Sequence, residues 1–119
     1  MGFVNDENGF GVIFDSRYTL SVRWGPFNLC SRIGEFGPFQ TTAVRSEDCE
    51  ISAWTPDDRP VKLVTKTDNW NPSKEIAGYV SPEGLAQIMV RLGTGGPNKD
   101  VSADLRGIIE EDRIRHGRE

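Results

Sequence analysis

The chain has 119 residues, of which 36% are hydrophobic and 27% are charged, and its formal net charge at pH 7 is −4. This length suits one globular domain, and the composition excludes a disordered acidic chain and a membrane protein. Because non-specific affinity for nucleic acids comes mostly from Lys and Arg on phosphates, the acidic balance argues against a nucleic-acid partner. The first ten residues contain neither a basic nor an apolar leader segment, so we expect a cytoplasmic protein whose Cys30 and Cys49 are reduced thiols.

The first predicted strands are residues 10–14 and 18–25, in which every second residue is large and apolar. Such alternation is typical of strands with one buried face, and the short connection between them predicts a hairpin. Arg23 lies on the opposite face of its strand, which makes it a candidate binding residue. The expected core face consists of Phe10, Val12, Phe14, Tyr18, Leu20, Val22 and Trp24.

Residues 25–40 are rich in Gly and Pro and predict a loop. Phe27 and Asn28 lie in its first turn and are candidate binding residues. Alternation over residues 49–54 predicts a third strand. After a turn that contains two prolines, residues 61–66 predict a fourth strand, which we expect to pair with the third in a second hairpin.

Two tryptophans lie outside the expected core face. Trp54 ends the third predicted strand, and Trp70 lies in the loop after the fourth. Exposed aromatic side chains often anchor protein interfaces, so both are candidate binding residues. The alternative is that they cover the open ends of the sheet.

The strongest helix signal covers residues 82–92, after a short fifth strand predicted at residues 75–80. Ser81 is a candidate N-cap, Pro82 suits the first helical position, and Gly93 is expected to end the helix. Apolar residues with helical spacing form the face expected to pack on the sheet, namely Leu85, Ile88, Met89 and Leu92.

Glycine-rich residues 93–101 predict a linker between a domain over residues 1–92 and a helical tail over residues 102–119. Within the tail, residues 102–114 predict a second helix with a narrow apolar stripe. This stripe could dock on its own domain, pair with a second copy of the chain, or enter a groove of a partner. It consists of Leu105, Ile108 and Ile109.

The reactive side chains show no catalytic constellation. His116 is the only histidine and lies in the tail, so Ser–His and Cys–His mechanisms and histidine metal sites would all depend on it. Cys49 lies between Asp48 and Glu50, whose carboxylates disfavour a thiolate. The run GTGGPNK lacks the residue order of a phosphate-binding loop. The sequence therefore predicts a protein that is not an enzyme and has neither a cofactor nor a metal.

Three runs of the sequence carry a family resemblance over residues 10–92: YTLSVRWGPFNLCS, DCEISAW and GYVSPEGLAQIM. Together they resemble small uncharacterised proteins encoded by bacteriophages and other mobile elements. The resemblance implies a cytoplasmic accessory protein that is made during infection and acts in host takeover or anti-defence. It implies no active-site residues.

We expect an α+β fold, with an antiparallel twisted sheet of roughly four to six strands, the first helix on one face and a separable terminal helix. We hypothesise a non-enzymatic, phage-type accessory protein that binds and modulates a host or phage protein. Two alternatives stay open: a virion or assembly component that oligomerises through residues 102–114, and a protein that sequesters a small ligand, such as a nucleotide, between the first helix and the loop at 25–39. The candidate binding residues are Arg23, Phe27, Asn28, Trp54, Trp70, Leu105, Ile108 and Ile109.

Overall fold

In a computed structural model of the chain, one antiparallel sheet of five strands is followed by two helices. The sheet is open, and its strands lie side by side in chain order. The predicted α+β class is therefore confirmed. The elements are β1 (Gly2–Asp6), β2 (Gly9–Ile13), β3 (Thr19–Arg23), β4 (Cys49–Trp54), β5 (Ala77–Val80), α1 (Pro82–Thr94) and α2 (Ser102–Arg115). The structure describes residues 1–6, 9–24, 30, 46–67, 73–94 and 101–117, without the side chains of residues 5 and 6.

The central hairpin of the sheet, β2–β3, matches the sequence prediction. Val12 of β2 pairs with Leu20 of β3, and Phe10 pairs with Val22, so their side chains share the face that both helices cover. Alternation continues into β4, where Cys49, Ile51 and Ala53 are buried between half-buried neighbours. These residues and the apolar side chains of α1 and α2 form one core.

Strand β1 was absent from the sequence prediction, which began the sheet at residue 10. It pairs with β2 along its whole length, with Phe3 opposite Val12 and Val4 opposite Gly11. Both of its large apolar side chains are mainly exposed. Its sequence therefore carries no buried–exposed alternation, and β1 is defined by its pairing with β2.

The predicted fourth strand at residues 61–66 is wrong, and so is the second hairpin. Pro60, just before that segment, makes one isolated bridge to Trp54 of β4, beside which the Val61 N–H donates to the Ala53 carbonyl at 2.9 Å. Leu63 and Val64 are consecutive and both buried, which breaks the alternation a strand requires. The neighbour of β4 is β5 instead, which confirms the predicted short strand near residues 75–80.

Helix α1 begins as predicted and ends later than predicted. The Gly84 N–H donates to Ser81 Oγ at 3.1 Å, so Ser81 is the N-cap. Ile88 and Leu92 are fully buried. The helix continues through Gly93 to Thr94, and a Cβ added to Gly93 would lie 3.5 Å from the Phe14 ring.

Helix α2 docks on its own domain, contacting α1 and β5. Leu105 is fully buried and Ile109 nearly so, and both belong to the same core as the sheet. Val101, just before the helix, is also fully buried. The predicted second helix is thus confirmed, and docking on the chain's own domain is the alternative that the structure adopts. The predicted linker lies mostly outside the described residues, and the division into two domains stays a prediction.

Candidate functional site

Two of the predicted binding residues lie on the sheet face that the helices leave uncovered. Arg23 is opposite Glu50, and Trp54 is opposite Thr19, so Arg23 and Trp54 share a face on neighbouring strands. They are four strand positions apart, a distance of about 13 Å along the strands. The structure therefore brings them to one surface without bringing them into contact.

The other predicted binding residues do not form an accessible cluster in the described part of the chain. Leu105 and Ile109 are buried in the core, and Ile108 is half-buried against it. The apolar stripe of α2 is thus used inside the domain. Phe27, Asn28 and Trp70 lie outside the described residues.

The main exposed apolar surface lies instead at the β1 side of the sheet. Among the described residues, six large hydrophobic side chains are more than a third exposed, and four of them lie on or beside β1 and β2. Phe3 is 82% exposed and Val4 is 51% exposed. Exposed apolar side chains at one edge of a sheet are candidates for an interaction surface. We call these four residues the edge patch: Met1, Phe3, Val4 and Ile13.

The strand register distributes the edge patch over both faces of the sheet. Phe3 is opposite Val12 and therefore lies on the helix-covered side, beyond the core. Val4 is opposite Gly11, whose missing side chain leaves room for it. A Cβ added to Gly11 would lie 3.3 Å from Val4 Cβ. Ile13 lies on the same face as Val4, so apolar side chains flank β1 above and below.

Strand β1 also presents main-chain groups. In the described strand order it has a neighbour, β2, on one side only. Proteins commonly protect such edges with Lys or Pro, and residues 1–6 contain neither. An edge strand with apolar side chains on both faces can take up a strand of another protein, which is called β-strand addition.

The sequence held one signal for this site. Asn8–Gly9 is a hairpin signal, and the apolar pair Phe3 and Val4 precedes it. Read together, they would have indicated a strand before residue 10. The exposure of both residues is a property of the tertiary structure, because the helices do not cover Phe3 and Val4 lies on the opposite face of the sheet.

A cleft lies beside the start of α1, the helix that forms one side of the predicted small-ligand pocket. It has a volume of about 310 Å³ and lies between Leu85 of α1 and the aromatic pair Phe10 and Trp24. The centroids of the two rings are 6.4 Å apart, and their planes are inclined by 68°. Most of the 25–39 loop lies outside the described residues, so sequestration of a ligand there stays a prediction.

The reactive side chains in the described part of the chain include the Cys49 thiol and a group formed by Ser81, Asp112 and His116. Burial, with a smaller contribution from Asp48, raises the pKa of the Cys49 thiol to about 12, so this thiol stays protonated at neutral pH. Ser81, Asp112 and His116 lie together, but Ser81 Oγ donates to the Asp112 carboxylate. In a catalytic triad the serine donates to histidine instead. No cluster of three or more metal-ligating side chains occurs among the described residues.

Comparisons of the chain with protein-family models, with curated protein sequences and with solved structures found no match. The resemblance to phage-encoded accessory proteins therefore stays a prediction. Within the described residues, neither helix is long and apolar enough to span a membrane.

Proposed function

We propose that this chain is a non-enzymatic accessory protein that binds another protein by β-strand addition at β1. The observation that carries the proposal is the edge patch on β1, which ends the described strand order and contains neither Lys nor Pro. Main-chain hydrogen bonds along β1 supply affinity, and the side chains on its two faces supply specificity.

The two faces give the partner strand distinct contacts. Phe3, on the helix-covered side, offers an aromatic anchor of the kind that dominates many interfaces. Val4 and Ile13, on the other side, offer a smaller aliphatic surface over Gly11. A partner strand with alternating apolar side chains satisfies both faces. Following the resemblance over residues 10–92, we propose that this partner is a host or phage protein that is modulated by the contact.

Oligomerisation through α2, the second hypothesis drawn from the sequence, loses its main support. The stripe that was to form the contact contains Leu105 and Ile109, which the core already covers. Self-association through β1 stays an outcome that the experiment can detect.

The test compares Phe3→Glu with Val90→Glu as immobilised baits in lysate of the source cells. Val90 is an exposed apolar residue of α1, 65% accessible and away from β1, so its substitution is a matched control. We expect wild type and Val90→Glu to capture one stoichiometric protein that Phe3→Glu loses. Hydrogen exchange of the recovered complex should show new protection of the β1 amides.

Capture that Phe3→Glu retains at full yield would contradict the proposal, as would unchanged exchange at β1 in the complex. Light scattering on the isolated protein tests for self-association through β1. A dimer that Phe3→Glu dissociates would show that the added strand comes from a second copy of this chain.

A further inference from the structure

A second surface of the molecule lies between α2 and the irregular segment at residues 63–66, far from the edge patch. It is a groove of about 310 Å³, which we call the α2 groove. The floor is apolar and includes the buried side chains of Leu63, Val64 and Ile109. This volume is near the lower limit of pockets that hold small organic molecules.

The walls of the α2 groove are basic. Lys66 stands on one side, and Arg106 and Arg113 stand on the α2 side. Glu110 is the one acidic residue among the described lining residues. The lining therefore contains three cationic side chains and one carboxylate, in a chain whose net charge is −4. The charge of the groove is thus opposite to that of the whole molecule.

Helical geometry places the two arginines along the groove. Arg106 and Arg113 are seven residues apart, two turns of α2, which separates them by about 10 Å on one face of the helix. Arg106 is oriented by a 3.1 Å hydrogen bond from Nη1 to the Lys62 carbonyl, which attaches α2 to the far wall. Among the described residues, neither Arg113 nor Lys66 forms an ion pair.

We propose that the α2 groove binds an organic carboxylate with an apolar body. The guanidinium of Arg113 and the ammonium of Lys66 pair with the carboxylate, because Arg forms charge-assisted hydrogen bonds that match carboxylate geometry. The apolar body covers Val64 and Ile114, and Ile114 is 58% exposed at the end of the groove. The apolar floor selects this ligand class over inorganic phosphate, which has no group to place there.

The test is a titration of the full chain with octanoate, monitored through the NMR chemical shifts of the backbone amides. We expect shifts at residues 64–66 and along α2. Replacing Arg113→Gln removes the charge, keeps most of the side-chain length, and should weaken binding about tenfold. Arg115→Gln is the matched control, because Arg115 is an exposed neighbour on α2 that does not line the groove. Its affinity should stay within about twofold of wild type.

Four further ligands separate charge from apolar contact. Octanamide keeps the alkyl chain without the charge, and octyltrimethylammonium reverses the charge. Acetate and inorganic phosphate lack the alkyl chain. Binding of octanoate alone at these residues supports the proposal. Equal binding of octanamide, tighter binding of phosphate, an unchanged affinity for Arg113→Gln, or no shift at millimolar octanoate would each overturn it.

Discussion

Asp112 is a buried carboxylate that joins the two helices. Its Oδ2 accepts a hydrogen bond from the Ser81 N–H at 3.0 Å, and its Oδ1 accepts one from Ser81 Oγ. Ser81 Oγ in turn accepts from the Gly84 N–H. The carboxylate therefore lies at the N-terminus of α1, where helix dipole and unpaired N–H groups favour negative charge. One acidic residue of α2 thus holds Ser81, the N-cap of α1, and joins the two helices.

Replacing Asp112→Asn should lower the free energy of unfolding by about 2 kcal/mol. The amide keeps one acceptor oxygen, but its NH₂ group faces a Ser81 donor, and a buried donor without an acceptor costs about 1–3 kcal/mol. Urea denaturation measures the change. Glu111→Gln is the control, because Glu111 is the exposed neighbour in sequence and should change stability by less than about 0.5 kcal/mol. Equal stability of the two variants would show that the Asp112 charge is dispensable.

Cys49 makes stability depend on alkaline pH. Its pKa is raised from the usual 9.0 to about 12, first by burial and then by Asp48. Above pH 9 the unfolded chain loses this proton while the folded chain keeps it, so the free energy of unfolding falls as pH rises towards 12. The slope from this group approaches about 1.4 kcal/mol per pH unit. Denaturation of wild type and Cys49→Ala between pH 8 and 11 isolates the contribution, because the variant should lack this part of the slope. Parallel stability curves would contradict it.

At the scale of whole elements, the close contact of α1 with α2 depends on Gly84. A Cβ at this position would lie 2.6 Å from Asp112 Cγ and 2.7 Å from its Oδ1. Gly84→Ala must therefore displace the carboxylate or separate the helices. We expect a net loss of about 1–3 kcal/mol in stability, although alanine is the better helix former.

Gly107 supplies the matched control for this prediction. It is an exposed position in α2, and an added Cβ would have no atom within 4 Å among the described residues. Gly107→Ala should raise the free energy of unfolding by about 0.5–1 kcal/mol. Thermal or urea denaturation measures both variants. The two substitutions are chemically identical, so the same sign of change for both would show that the contact with Asp112 does not limit α1–α2 packing.

Elements with a clear periodic pattern were predictable from the sequence. Strands β2 to β4 follow a period of two and both helices follow a period of about 3.6, because each buries one face in the core. Strand β5 is short and irregular, since Ala77 and Val80 both lie in the core and its register with β4 shifts. Strand β1 buries neither face, so only its pairing defines it. The segment at 61–66 has strand-like residues. Its Leu63 and Val64 both donate their N–H groups to the Lys74 carbonyl, a non-local contact that no local sequence pattern indicates.

The candidate sites were less predictable for a related reason. The alternation of β3 correctly placed Arg23 on the face away from the helices. Phe3 and Val4 are candidate binding residues only because their side chains are exposed, and exposure is decided by tertiary packing. The α2 groove combines Lys66 with side chains of a helix 40 residues later. Neither site has a local motif.

On the scale of the whole molecule, the two proposed binding surfaces lie towards opposite edges of the sheet. Strand β1 forms one end of the strand order and β5 forms the other. Helix α2, which forms one wall of the α2 groove, contacts β5. Four strand spacings separate β1 from β5, or about 19 Å. A partner at β1 and a carboxylate in the groove therefore do not compete for space.

This separation predicts that the two surfaces act independently. Phe3→Glu should abolish capture of the partner and leave the affinity for octanoate within about twofold of wild type, because energetic coupling needs a shared element with two arrangements. Arg113→Gln should have the reverse effect. Measuring octanoate affinity with and without the captured partner tests this directly, since coupling is reciprocal for binding free energies. A change of about fivefold or more would show that strand addition at β1 is transmitted through the sheet to α2. The five strands and two helices would then respond as one unit.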